Sequence, residues 1–133
     1  MSFDINTLAV KDSDTLHLTH PATGELLYAD EEKTKPVQIV LWSTSSKAYR
    51  AASNAAQNRR LKRKSKEMTA ELAREEGVEI LVACSQRGEN FTYNGEALDN
   101  PDAFRRMYSD DKFSWIKEQV DSYVSDLANF IKA

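Results

Sequence analysis

The residue types that most often carry catalysis or bind metals are scarce in this chain, whose 133 residues include two histidines, His17 and His20, and one cysteine, Cys84. Nucleophilic triads, metal centres and general acid–base pairs draw heavily on these side chains. His17 sits in Leu16-His17-Leu18, which reads as a strand, and His20 is three residues on. Positions i and i+3 of a strand point to opposite faces, so a shared metal is not expected. Cys84 closes the apolar run Val78-Glu79-Ile80-Leu81-Val82-Ala83-Cys84, where a thiol behaves as a small buried hydrophobe. The carboxylate pairs Glu31-Glu32, Glu75-Glu76 and Asp110-Asp111 are neighbours in polar surroundings, and none has the apolar setting that raises a pKa for acid catalysis. Gly24, Gly77, Gly88 and Gly95 are too scattered for a phosphate-binding loop. The expectation is a protein without catalytic, metal or cofactor residues: a binding protein rather than an enzyme.

The unusual feature is electrostatic. The net charge is −3, yet every charged residue from 47 to 66 is Lys or Arg. In Arg59-Arg60-Leu61-Lys62-Arg63-Lys64-Ser65-Lys66, the pairs Arg59/Arg63, Arg60/Lys64 and Lys62/Lys66 are four apart. On a helix each such pair costs on the order of 0.2–0.5 kcal/mol, so the three together oppose helix formation by about 1 kcal/mol. Either the following Glu67, Glu71, Glu75 and Glu76 neutralise the patch, or an acidic partner does. Nucleic acid is the weaker choice of partner, because no aromatic residues interleave with these cations and the chain as a whole is acidic. An acidic or amphipathic protein segment fits better. The residues assigned to partner contact are Arg59, Arg60, Lys62, Arg63, Lys64 and Lys66 for charge, with Ala52, Ala56 and Leu61 as apolar neighbours.

The elements that must carry this patch can be read from pattern. Thr15–Thr19 and Glu25–Ala29 flank a Pro21/Gly24 turn and predict an antiparallel hairpin, with Val37–Trp42 as a third strand. From Ser43 onward Thr44, Ser45 and Ser46 are N-cap candidates, and no Gly or Pro intervenes until Gly77. This predicts one helix of up to about thirty residues with a thin alanine stripe, ended by Gly77 as C-cap. Its stripe is so narrow that the helix is expected to project from the body or to await a partner. Residues 78–85 fit a buried helix or a buried strand, with helix preferred. Residues 86–94 read as a loop, Asn100-Pro101 opens a short helix through Met107, and Asp110 or Asp111 can cap a last helix. That helix carries Phe113, Ile116, Val120, Tyr123, Val124, Leu127, Phe130 and Ile131 on one apolar face. Such a face either fills a small core or is left as a groove-binding or dimerising surface.

The fold class expected is α+β: a small N-terminal antiparallel β-hairpin or three-stranded sheet, then a long basic helix and two to three further helices. Length and composition, 41% hydrophobic and 29% charged, suit one domain over residues 1–133. Residues 1–14 are expected to fray, 15–42 to be the β part and 43–133 the helical part. The longest apolar run falls well short of the roughly 20 residues that span a bilayer. The start, Met1-Ser2-Phe3-Asp4, lacks the basic and apolar regions of a secretory signal, so a reducing cytoplasm is the expected setting. Both a monomer and a homo-oligomer remain open, since alanine stripes and amphipathic helices support either.

The order of these segments resembles the tail assembly chaperones of long-tailed bacteriophages. The resemblance rests on the Thr23-Gly24 turn, the Pro36–Trp42 strand, Ser45-Ser46-Lys47-Ala48-Tyr49-Arg50 opening a basic helix, the acidic Glu67–Glu76 stretch, the apolar Val78–Cys84 run, and a final helix ending in Ala128-Asn129-Phe130. It spans the chain from about Asp14 to the end. Where that family usually has a Trp-Gly phrase, this chain has Gln86-Arg87-Gly88. The resemblance implies a non-enzymatic protein of the host cytoplasm that binds the tape-measure protein and keeps it soluble while tail-tube protein polymerises around it. It also implies absence from the finished virion. The competing classes are a structural protein of the tail or virion, and a nucleic-acid-binding module using residues 59–66.

Overall fold

The computed structural model describes residues 2–62 and 69–131, and it is an α+β arrangement in which one small sheet is packed against helices. The sheet holds β1 (Ser13–His17), β2 (Gln38–Trp42) and β3 (Ser85–Glu89), antiparallel, with β2 in the centre. Register runs from Ser13 opposite Trp42 to His17 opposite Gln38 on one side, and from Gln38 opposite Glu89 to Leu41 opposite Ser85 on the other. The second pairing slips between Val40 and Leu41, where Gln86 is the extra residue of a bulge. Ile39, Val40 and Leu41 are all buried, so both faces of β2 are covered, which is why its sequence is continuously apolar rather than alternating.

The third strand is the main difference from expectation. It comes from residues 85–89, which read as loop because Ser-Gln-Arg-Gly-Glu has no apolar alternation. Segment 25–29, expected to pair with 15–19 as a strand, does so only beyond the end of β1, through the Thr19–Leu26 bridge and bonds from His20 N to Glu25 O and from Leu27 N to Leu18 O, and it also bridges Tyr28 to Pro36. The turn between them is real. Gly24 adopts φ +75, a conformation glycine takes without steric cost, and its N–H donates to His20 O at 2.9 Å. Leu18, Leu27 and Val37 then form a short ladder beside the sheet: Leu18 N donates to Val37 O at 2.9 Å, Leu27 N to Leu18 O at 3.0 Å and Val37 N to Leu27 O at 3.0 Å.

Helix α1 (Lys47–Lys62) follows β2, and α2 (Ala70–Cys84) packs on it. The predicted single rod is therefore two helices. Thr69 has extended backbone, φ −77 and ψ 158, and its side chain accepts from Leu72 N at 3.1 Å, so it starts a new helix. Glu71 in that first turn suits the positive end of the helix dipole. Nor does Gly77 end anything. It lies within α2, where Val78, Leu81, Val82 and Cys84 are buried, and that burial outweighs the roughly 1 kcal/mol that glycine costs a helix interior. The apolar run is helix to Cys84 and becomes strand at Ser85.

Beyond β3 a two-residue hairpin, β4 (Thr92–Tyr93) with β5 (Glu96–Ala97), leads to α3 (Pro101–Ser109). Here the reading by cap and proline holds: Asn100 Oδ1 accepts from Ala103 N at 2.9 Å and Pro101 opens the helix. Asp110 caps a 3-10 turn, Asp111–Phe113, rather than α4 (Ser114–Ser125) itself. A second 3-10 turn, Leu127–Phe130, seats Phe130 in the core and leaves Leu127 exposed, so the apolar face is interrupted at Asp126. Residues 2–9 are exposed, and the contacts to the body begin at Val10. Val10 bridges Ile131, Lys11 N donates to Phe130 O at 2.6 Å, and β1 starts at Ser13.

The core joins the sheet's Ile39 and Leu41 to α2, α3 and α4 through Leu81, Phe104, Met107, Tyr108 and Val120. Gly88 is required by close approach rather than by backbone conformation. A Cβ there would lie 2.8 Å from Phe91 Cε1 and 3.0 Å from Leu98 Cβ. Gly88→Ala is expected to destabilise the fold by about 1–3 kcal/mol, the usual cost of overpacking, read as a lower urea midpoint with unchanged slope.

Candidate partner-binding helix

Ser46 caps α1: its Oγ accepts from Tyr49 N at 3.2 Å and donates to Ser43 O at 2.6 Å. Ser43 and Ser46 are both buried, so the start of α1 is fixed at the end of β2. From there the helix runs along α2. Tyr49 is its contact with the central core, Ala56 is buried, and Gln57, Asn58, Arg59, Leu61 and Lys62 are exposed. Leu61 is 83% exposed, as are Phe3 and Ile5 to a similar degree near the N-terminus.

The helix has no Asp or Glu in its sixteen residues. Lys47 and Arg50 stand in its first turns, where the dipole disfavours cations. Among the described residues Lys47, Arg50, Arg59 and Lys62 form no ion pair. Among the described residues the same holds for Lys33, Lys35, Lys112 and Lys117, whereas several arginines are engaged. Arg105 forks onto Glu79, with Nε to Oε2 at 2.6 Å and a second nitrogen to Oε1 at 2.9 Å, while Arg74 pairs with Asp111 and Arg106 with Glu96.

The assigned contact residues are thus divided. Arg59, Leu61 and Lys62 share one exposed end of α1, and Arg60 belongs to the same helix. Ala52 is half-buried. Ala56 is 3% exposed and leaves the contact set, because α1 and α2 bury it between the helical layer's own residues. Arg63, Lys64 and Lys66 lie outside the described residues, and so does the far member of each like-charge pair. Glu76 is buried on α2, contrary to the polar setting its sequence neighbours suggest. Its spacing gave no signal for that: two residues before Val78 and five before Leu81, it falls off the helical face those residues share.

The residues first considered for chemistry are held by the fold. His17 Nε2 donates to Leu27 O at 2.7 Å and its ring meets Tyr28 edge-on at 4.9 Å. His20 Nδ1 accepts from Ala22 N at 3.0 Å and Thr23 N at 3.3 Å, within the turn. No group of three or more His, Cys, Asp or Glu among the described residues could hold a metal ion. Asp110 is kept below the usual carboxylate range by the Lys112 N–H and the Tyr93 hydroxyl, which donates at 2.9 Å. Cys84 is fully buried, and that burial pushes its thiol up to about 11.

Comparison of the chain with protein families, curated proteins and solved structures gives no match. Among the described residues no helix is long and apolar enough to cross a membrane.

Two outcomes follow from these environments. Arg59→Glu with Lys62→Glu should leave the thermal midpoint nearly unchanged, within about 0.5 kcal/mol, since neither exposed cation supports the fold. For Cys84, the folded state keeps a proton that the unfolded thiol releases, so its contribution is full below pH 9 and is lost as pH rises toward 11. The loss is at most about 1.4 kcal/mol per pH unit. Urea unfolding at pH 8, 9 and 10 should show a shallower alkaline decline in Cys84→Ala than in the natural sequence.

Proposed function

We propose that this protein is a non-enzymatic assembly factor that holds another polypeptide against helix α1. The observation that carries this reading is the exposed end of α1, where Arg59 and Lys62 flank a Leu61 side chain that is 83% in solvent, with no carboxylate anywhere on the helix. Cations without internal partners steer an acidic segment into encounter and select against basic ones, while the exposed leucine supplies an apolar contact once the segment docks. The order of segments resembles that of phage tail assembly chaperones, and on that resemblance the segment belongs to a tape-measure protein, kept soluble in the host cytoplasm while tail-tube protein assembles on it. The sole aromatic residue of α1, Tyr49, packs against the core, so the helix offers no stacking platform of the kind single-stranded nucleic acids use.

Co-expression with a tape-measure protein is the test. The soluble yield of that protein should rise and the two should co-purify. Arg59→Glu, Arg60→Glu and Lys62→Glu together should reduce the recovered complex at least tenfold, on the order of 1.4 kcal/mol, with the fold intact by circular dichroism. Absence of a complex, or capture unaffected by the triple reversal, removes this reading.

A further inference from the structure

A cavity of about 240 Å³ lies between the Leu18–Leu27–Val37 ladder, the β4–β5 hairpin and the helices. Leu18, Met107 and Ile116 are buried and form its floor. Its rim is aromatic: Phe91, Tyr93, Phe113 and Trp115 are each half-buried, with the Tyr93 and Phe113 rings edge-to-face at 5.7 Å. Thr92 and Asn94 mark the exposed mouth, and no charged side chain lines the space. The Tyr93 hydroxyl is already committed to Asp110, so the rim offers ring faces and edges rather than a free polar group.

We infer that this cavity is a binding site for a small, uncharged aromatic molecule of one or two fused rings. Size sets the upper bound. An apolar cavity of roughly 150 Å³ accommodates benzene, and drug-sized ligands need about 300 Å³ or more, so this space lies between the two. Charge sets the class. An ionic group in an apolar cavity loses its hydration with nothing to replace it, whereas a neutral ring gains offset and edge-to-face contacts with four aromatic side chains. The site is independent of α1: none of its lining residues belongs to that helix.

Indole is the probe. Added to the full chain, it should raise the thermal midpoint in a saturable manner and shift the NMR methyl signals of Leu27, Val37 and Ile116, with few changes on α1. Indole-3-acetate, which carries a carboxylate, should bind at least tenfold more weakly. Two variants close the space from different sides: Leu27→Trp fills it from the half-buried wall, and Thr92→Trp covers its mouth from an exposed strand position. Each should abolish the indole response, and Thr92→Trp, being on the surface, should do so without lowering the midpoint of the free protein. The inference is overturned if indole gives no saturable shift, if the carboxylate binds equally well, or if the response survives in folded Thr92→Trp. It is equally overturned if a tryptophan-containing peptide binds there while free indole does not, since the site would then belong to a polypeptide partner.

Discussion

The conversion of helix into strand at Ser85, with no residue between α2 and β3, ties the two layers of this fold together. Ser85 Oγ donates to Leu81 O at 2.7 Å, closing the last turn of the helix, and meets Tyr108 Oη at the same distance. Tyr108 is itself fully buried on α3, where desolvation raises its hydroxyl well above the usual phenol range. One hydroxyl therefore links the end of α2, the start of β3 and the core face of α3. The placement of β3 beside β2 follows, and with it the close approach of Gly88 to Phe91 and Leu98 that shapes one wall of the apolar cavity.

The outer edge of β1 is closed by a different device. Tyr123 on α4 donates to Asp14 Oδ2 at 2.7 Å and to Thr15 O at 3.3 Å. Farther along, the Gln119 amide makes both bonds a neighbouring strand would make to Thr19, accepting from its N–H at 3.0 Å and donating to its C=O at 2.9 Å. Burial opposes the Asp14 charge, but the Tyr123 hydroxyl, its own local backbone and Lys11 outweigh it and keep the carboxyl below its ordinary value. Side chains from a helix thus occupy backbone groups that would otherwise template pairing with another chain.

Local signals in the sequence were reliable wherever a cap or a period was the whole cause. The Asn100-Pro101 start of α3, the apolar positions Ile116, Val120 and Val124 of α4, and the Val37–Trp42 strand were all legible for that reason. What could not be read depended on distant partners. Residues 85–89 become a strand because β2 has a free edge and α2 delivers them to it, not because of their own side chains. The absence of Gly and Pro between 43 and 76 suggested an unbroken helix, but a threonine with a glutamate two residues later was enough to start another. As for the candidate site, charge pointed to Arg59, Arg60 and Lys62 on α1, while Arg63, Lys64 and Lys66 lie outside the described residues. Burial of Ala56 and exposure of Leu61 required knowing where α2 packs. The cavity left no trace in sequence, since its walls come from segments separated by up to nearly a hundred residues.

The meagre anchoring of α1 has an energetic consequence. Its attachment, mostly along α2, involves small side chains, buried Ala56 and half-buried Ala48, Ala52 and Ser53, with half-buried Tyr49 and a serine-capped first turn, whereas α2, α3 and α4 share a dense set of fully enclosed side chains. Opening a helix that encloses such small side chains is expected to cost less than global unfolding. Amide protons along it should trade with solvent while those of β2 stay protected. A polypeptide settling on α1 would spend part of its association energy on quenching such openings.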